Sequence, residues 1–213
     1  MTVAERERSG FSFWAGITIF SLVTAFVLTF TTSNYARLTS AKEAEKIEKE
    51  LSLDTLLTIN KLAKGWYMPT VEKLSIPRNL SAEMAEKASL ELFGFRSETA
   101  WRWLERRADA ILDLWYWFLR RVALFVIWIP LWIPMVVMAS LHGYWDREIK
   151  KTDFGYTSPV LNHWARSTMN LSILITMLMF VVPVAIDPFL FPLFLAIVTV
   201  SAAIALGNVQ KVL

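Results

Sequence analysis

Residues 122–140, VALFVIWIPLWIPMVVMAS, run for nineteen positions without a charge. No other feature limits the fold so strongly. At 1.5 Å per residue, a helix of about 20 residues crosses a hydrocarbon layer about 30 Å thick. Three more uncharged runs share the property: residues 11–32, FSFWAGITIFSLVTAFVLTFTT; residues 171–186, LSILITMLMFVVPVAI; and residues 189–207, FLFPLFLAIVTVSAAIALG. Composition agrees, since 55% of the chain is hydrophobic and 19% charged, whereas soluble domains carry roughly 45–50% and about 25%. In water, bunched apolar residues of this kind would have nowhere to go.

The first run has a basic flank, Arg6 and Arg8, as a signal peptide would. It is longer than the roughly 7–15 residues usual for such peptides, and no A-x-A-like site follows before Tyr35. An uncleaved first transmembrane helix is expected. The last two runs are separated by little more than Asp187–Pro188, which predicts an antiparallel hairpin.

Residues 33–113 are polar and read as helical. Ser40 to Glu43, SAKE, has the form of a capping box, in which the hydroxyl meets an orphan N–H and Glu43 reaches back. AKEAEKIEKELSLDTLLTINKLAKG continues with good helix formers, and Gly65 is the expected stop. Pro69 and the IPRN stretch at 76–79 mark a loop, and SAEMAEKASLELFG predicts a short amphipathic helix closed at Gly94. From near Ser97, Trp101, Leu104, Ala108, Ile111, Leu112 and Trp115 fall three and four residues apart. Arg102, Glu105, Arg106, Asp109 and Asp113 occupy the other face. No proline or glycine interrupts before Pro130, so this helix is expected to run on into the second span.

These readings give an all-α integral membrane protein with about four transmembrane helices and a helical extramembrane segment between the first and second. The layout is a short tail at 1–10, a transmembrane helix at 11–32, the polar segment at 33–113 and a second transmembrane helix at 114–140. A short polar loop at 141–166, transmembrane helices at 167–186 and 189–207, and a tail at 208–213 complete it.

Details inside the spans carry further expectations. Pro130 and Pro134 each remove a backbone donor and predict a kink or packing notch. Ser201 with Ala205, and Ala203 with Gly207, set small residues four apart, a spacing that lets helices approach closely in lipid. Arg120 and Arg121, at the entrance of the second span, are placed to reach headgroups with their stems buried. Of ten tryptophans, nine lie in or beside apolar runs, where indole rings favour the headgroup layer. Ser158–Pro159 is a helix start. Arg147, Lys150, Lys151, Arg166 and Lys211 face only Asp187 across the membrane, which predicts cytoplasmic N- and C-termini.

Chemistry is sparse. A net charge of +3 offers no dense basic face, so no direct contact with nucleic acid is expected. Without cysteine there is no disulfide, thiolate nucleophile or cysteine-bound metal. The sequence lacks G-x-x-x-x-G-K-[ST], H-E-x-x-H, G-x-S-x-G and G-x-G-x-x-G. His142 and His163 could meet Asp146 or Asp153 across the central loop as a metal site or interface enzyme; hydrogen-bonded interfacial histidines are the plainer reading. No charge sits in the middle of a span, which weighs against a small oligomeric transporter or channel subunit. No enzyme activity and no cofactor are expected.

The second half carries a resemblance. Its pattern comprises Gly143, Arg147, Ile149, Lys150, Phe154, Gly155, Tyr156, Ser158 and His163, then a hairpin, then Asn208 and Gln210. This order resembles the integrating conjugative element membrane protein family, encoded on conjugative plasmids and integrated elements. It departs from the family at His142, where an acidic residue would precede the glycine. The resemblance covers residues 122–212 and implies a bacterial inner-membrane accessory or scaffold component of a conjugative DNA-transfer apparatus. Such a protein would serve type IV secretion or its coupling ATPase and act through contacts with other membrane proteins, with a homo-oligomer left open. The loop residues Gly143, Trp145, Arg147, Lys150, Phe154, Gly155, Tyr156, Ser158 and His163 are the candidate docking surface.

Overall fold

The computed structural model describes residues 13–74, 97–152 and 158–208, and among these every regular element is a helix. Six helices follow in order: α1 Phe13–Phe30, α2 Ser33–Glu50, α3 Leu53–Leu74, α4 Ser97–Thr152, α5 Pro159–Val181 and α6 Leu190–Gly207. Those within Arg106–Lys150, Pro159–Val181 and Leu190–Gly207 are long and apolar enough to cross a membrane. A fourth candidate pairs α1 with α2, which meet at 113°.

Two compact units form along the chain. One comprises α1 as far as Phe26, Phe125–Val182 and α6; the other is Val27–Leu124 with Pro183–Asp187.

In the first unit, α5 and α6 pack against each other. Their buried faces carry Ala165, Ser172, Leu174, Thr176 and Met179 on α5, and Phe191, Leu195, Thr199, Ser201 and Ala205 on α6. The hydroxyls cost little to bury because Thr176 donates to the Ser172 carbonyl at 2.9 Å and Thr199 to the Leu195 carbonyl at 2.8 Å. Helix α4 joins this pair at three levels. Phe125 packs edge-on against Phe180 and Phe191, Trp132 donates its indole N–H to Thr199 Oγ1 at 2.9 Å, and Gly143 lies on Ala203. A Cβ at Gly143 would stand 2.7 Å from the Ala203 carbonyl oxygen, so only glycine lets the two backbones come this close. Outward, α4 exposes Leu131, Ile133, Val137 and Met138, an apolar perimeter suited to lipid. Helix α4 continues through both Pro130 and Pro134, each exposed.

In the second unit, α2 buries Ala36, Thr39, Glu43 and Ile47, a stripe at three- and four-residue spacing. On α3, Leu56, Ile59 and Ala63 are buried, and Tyr67 meets Tyr116 of α4 edge-on at 5.3 Å. The buried stripe of α4 is Ala110, Leu114, Trp117, Arg121 and Leu124. This corrects the expected face, because Ile111 and Trp115 are exposed. Helices α2 and α4 are linked by side-chain bonds whose partners stay 74 to 80 positions apart along both helices. Constant separation means that the two run parallel.

Several local expectations change. Helix α2 begins at Ser33 behind Thr32, so Ser40 and Glu43 lie mid-helix and form no capping box; both are engaged by arginines of α4. Helix α3 passes through Gly65 and Pro69 to Leu74. The break falls instead at Leu51–Ser52, where Ser52 takes φ 132° and its Oγ accepts from the Thr55 N–H at 3.3 Å. Residues 141–152 and 159–166 are helical, so little of the polar loop expected at 141–166 remains between α4 and α5. The short helix and IPRN loop expected within 76–94 lie outside the described residues.

Two glycines should respond oppositely to alanine. Nothing lies within 4 Å of a Cβ at Gly65, so Gly65→Ala should gain about 0.5–1 kcal/mol of stability from helix propensity. Gly143→Ala should lose on the order of 1–3 kcal/mol by pushing α4 off α6. Thermal unfolding of the two purified variants in detergent checks both signs.

Candidate functional site

Two polar clusters are built into the helices. The larger centres on Arg121 and Glu43, whose side chains are 0% and 1% exposed. Arg121 Nη2 donates to Glu43 Oε2 at 2.6 Å, and its Nε reaches both carboxylate oxygens at 3.1 Å. The guanidinium lies over the Trp117 ring, 4.1 Å from its centroid, and the Trp117 indole N–H donates to Glu43 Oε2 at 3.1 Å. Arg121 Nη2 also donates to the Val184 carbonyl in the α5–α6 connector. Helical spacing produces this convergence, because Trp117 and Arg121 stand four apart on one face of α4. The headgroup role expected of Arg121 is therefore replaced by a buried ion pair.

Neighbouring bonds extend the cluster. Arg120 is buried and donates from Nη1 to the Ser40 carbonyl at 3.1 Å and to Ser40 Oγ at 3.0 Å; its Nε and Nη2 are buried without a partner. Arg107 donates to the Thr31 carbonyl at 2.9 Å, satisfying an acceptor left at the end of α1. Asp113 accepts from Ser33 and, at 2.8 Å, from Arg37, whose side chain is 67% exposed. Lys46 donates to the Ala185 carbonyl at 3.0 Å. At the end of α2, Glu50 bonds to Asp187. Burial, then the nearby Asp187 charge and that hydrogen bond, raise the Glu50 carboxyl above its ordinary value of 4.5.

The smaller cluster joins the ends of α4 and α6. Lys150 Nζ donates to Asp146 Oδ2 at 2.6 Å, to the Gly207 carbonyl at 3.2 Å and to Asn208 Oδ1 at 3.3 Å. A cation at the C-terminus of α6 meets the negative end of the helix dipole. Gly207 packs directly on the Asp146 carboxylate, which would have to shift to admit a side chain there.

The expected site residues separate accordingly. Gly143 and Lys150 are on α4, engaged with α6; Asn208 meets Lys150. Trp145 is 60% exposed, and His142 and His163 are both exposed. Arg147 Nε is buried without a partner. Ser158 Oγ accepts from the Leu161 N–H at 3.3 Å with Pro159 following, so it caps α5. Phe154, Gly155, Tyr156, Asp153 and Gln210 lie outside the described residues. On α6, Ser201, Ala205 and Gly207 are buried and Ala203 faces Gly143. Among the described residues, no three His, Asp or Glu side chains gather as a metal ion would require.

Sequence reasoning missed the larger cluster. The available signal was that Glu43 shares the three-and-four spacing of Ala36, Thr39 and Ile47, while Arg121 extends that of Ala110, Leu114 and Trp117. A charge on an otherwise buried stripe asks for an opposite partner.

Together these features describe a helical protein with three or four helices long and apolar enough to cross a membrane, and with a buried Arg121–Glu43 ion pair joining two of its helices. Residues 30–208 match the family model described as IncC plasmid conjugative DNA transfer protein DtrJ-like, and the chain belongs to that family. The resemblance to conjugative-element proteins thus holds at the level of conjugative transfer. Neither a curated protein nor a solved structure matches the chain.

Glu43→Ala strands a buried guanidinium and should cost about 3–5 kcal/mol, whereas replacing both Glu43 and Arg121 by leucine should recover much of that loss. Arg37→Ala, at an exposed pair, should stay within about 1 kcal/mol. Chemical denaturation of the detergent-solubilised variants distinguishes the three. Because Glu50 is raised on folding, its contribution is fully present below its unfolded value near 4.5 and is lost as pH rises through the higher folded value. The melting temperature of Glu50→Gln should therefore respond less than wild type to pH just above 4.5.

Proposed function

We propose that the protein is an inner-membrane assembly component of a conjugative DNA-transfer apparatus, a scaffold and not an enzyme. It acts through helix–helix and protein–protein contacts with other components of the secretion channel or its coupling ATPase. Membership of a conjugative DNA transfer family over residues 30–208 carries the reading. The wide apolar perimeter of α4 and the internal pairing of Arg121 with Glu43 support it. A metal, cofactor or substrate is not part of the proposal. The termini are cytoplasmic in this reading, which takes Arg147, Lys150, Lys151 and Arg166 as the basic residues on that side. In this proposal α4 bends at Pro130 and Pro134, which lie inside the helix.

Of the candidate docking residues, Trp145, Arg147 and His163 are the proposed partner contacts. Trp145 and His163 are exposed, and the Arg147 guanidinium has a buried Nε–H still to satisfy. Gly143 and Lys150 instead hold the helices from which those contacts project.

Deleting the gene should lower mating transfer frequency by at least about tenfold, and a plasmid copy should restore it. Trp145→Ala with Arg147→Ala should fail to restore transfer although the protein accumulates normally, a loss of about 1.4 kcal/mol or more in contact energy. Unchanged transfer in the deletion strain would end the proposal.

A further inference from the structure

Arg120 and Arg121 are consecutive on α4, and with Glu43 they are the charged side chains that lie buried among the described residues. Two cations therefore share one carboxylate. Glu43 is already engaged: Arg121 donates to it through Nε and Nη2, and the Trp117 indole N–H adds a third donor. A guanidinium keeps its proton in proteins, so burial cannot neutralise Arg120 as it would a carboxyl or an amine. An excess positive charge in a dry interior is costly unless an anion sits beside it.

The bonds that Arg120 makes fix where such an anion belongs. Its Nη1 is spent on Ser40, on the carbonyl at 3.1 Å and on Oγ at 3.0 Å. Nε and Nη2 are buried, and no described residue accepts from either. These two nitrogens form one edge of the planar group, with their N–H bonds side by side, and that edge matches two oxygens of a single oxyanion. Arg121 shows the match within the same cluster, because its Nε and Nη2 are the atoms that hold the Glu43 carboxylate. The adjoining turns bring Arg120 no carboxylate of its own. One turn beyond Ser40, α2 carries Ala44, and one turn before Arg120, α4 carries Tyr116. Asp113, two turns back, is bonded to Ser33 and Arg37.

We infer that Arg120 anchors a phosphate-binding site, in which Nε–H and Nη2–H donate to two oxygens of one phosphate group. A single excess charge suits dihydrogen phosphate or a phosphodiester. Because the edge lies beneath the surface, a short Asp or Glu side chain on another folded chain does not reach it. A free phosphate ion, or a phosphate on the flexible headgroup of a lipid, is small enough to enter as a covering side chain moves aside. Both sources share the chemistry, and the test separates them.

Full-length protein is melted in a neutral detergent in sodium phosphate, acetate or chloride at one ionic strength, and in chloride with phosphatidylglycerol added. At a ligand concentration about tenfold above its dissociation constant, the melting temperature should rise by about 3 °C or more. A rise in phosphate assigns a soluble ion, and a rise with phosphatidylglycerol alone assigns a headgroup; either supports the site. Arg120→Gln should abolish the rise. Arg120→Lys keeps the charge without the two-donor edge and should lose about half of it or more, which carries the comparison if Arg120→Gln does not fold. A phosphate or phospholipid adduct seen by native mass spectrometry on the wild type, and lost in Arg120→Lys, also supports the site. Neither a rise nor an adduct overturns the inference, as does an equal rise in acetate or chloride, or a full rise that persists in the Arg120 variants.

Discussion

The pairing of Glu43 with Arg121 is the interaction on which the second unit depends. Two charges removed from water are costly, and their attraction offsets that cost only if the geometry is good and the remaining donors are used. Here Arg121 grips the carboxylate through two nitrogens, stacks on Trp117 and gives a further bond to the Val184 carbonyl. One guanidinium therefore joins three separate pieces of chain: α2, α4 and the connector between α5 and α6. A hydrophobic contact of the same volume could not specify the register so narrowly, because it lacks direction. The parallel alignment of α2 with α4, bonded from Arg107 to Arg121, follows from this discrimination.

The first unit solves a different problem. Where lipid surrounds the helices, apolar surface gives little reason for one helix to prefer another, and close approach and local hydrogen bonding decide the packing. Gly143 against Ala203 supplies close approach, and the Trp132 indole on Thr199 supplies a directed bond. Lys150 then closes the end of α6 by donating to its final carbonyl. The two units thus use polar groups at opposite extremes: a fully buried ion pair in one, and hydroxyl, indole and helix-end bonds in the other.

Reading the chain without its structure recovers the apolar elements well and the polar ones poorly. The uncharged run at 122–140 lies within α4, and the hairpin on either side of Asp187 reappears as α5 and α6. Ser158–Pro159 caps α5 because that signal is local: a hydroxyl, three residues and a missing N–H. The Ser40–Glu43 capping box fails because the same local pattern also suits two mid-helix residues claimed by arginines some 80 positions away. Gly65 fails as a stop for a similar reason: glycine permits a helix end but does not enforce one, and Ser52 takes the unusual φ instead. The docking residues divided once α4 extended to Thr152, since helical geometry turned Gly143 and Lys150 toward α6 and left Trp145 outward.

What the sequence alone determined is set by short-range quantities: the length of uncharged runs, the spacing of apolar positions, the absence of cysteine, and a small net charge. These decide that the chain is helical, that several helices suit a bilayer, and that thiol chemistry is excluded. Tertiary structure alone decided which charges are buried and which partners they take. Glu43 and Glu48 look alike in sequence, and so do Arg121 and Arg106, yet only the first of each pair is buried and joined to the other. Spacing gives a residue its side of the helix; what fills that side depends on chain folded back from dozens of residues away. Electrostatic energy in a dry interior depends on that three-dimensional proximity, and no local pattern contains it.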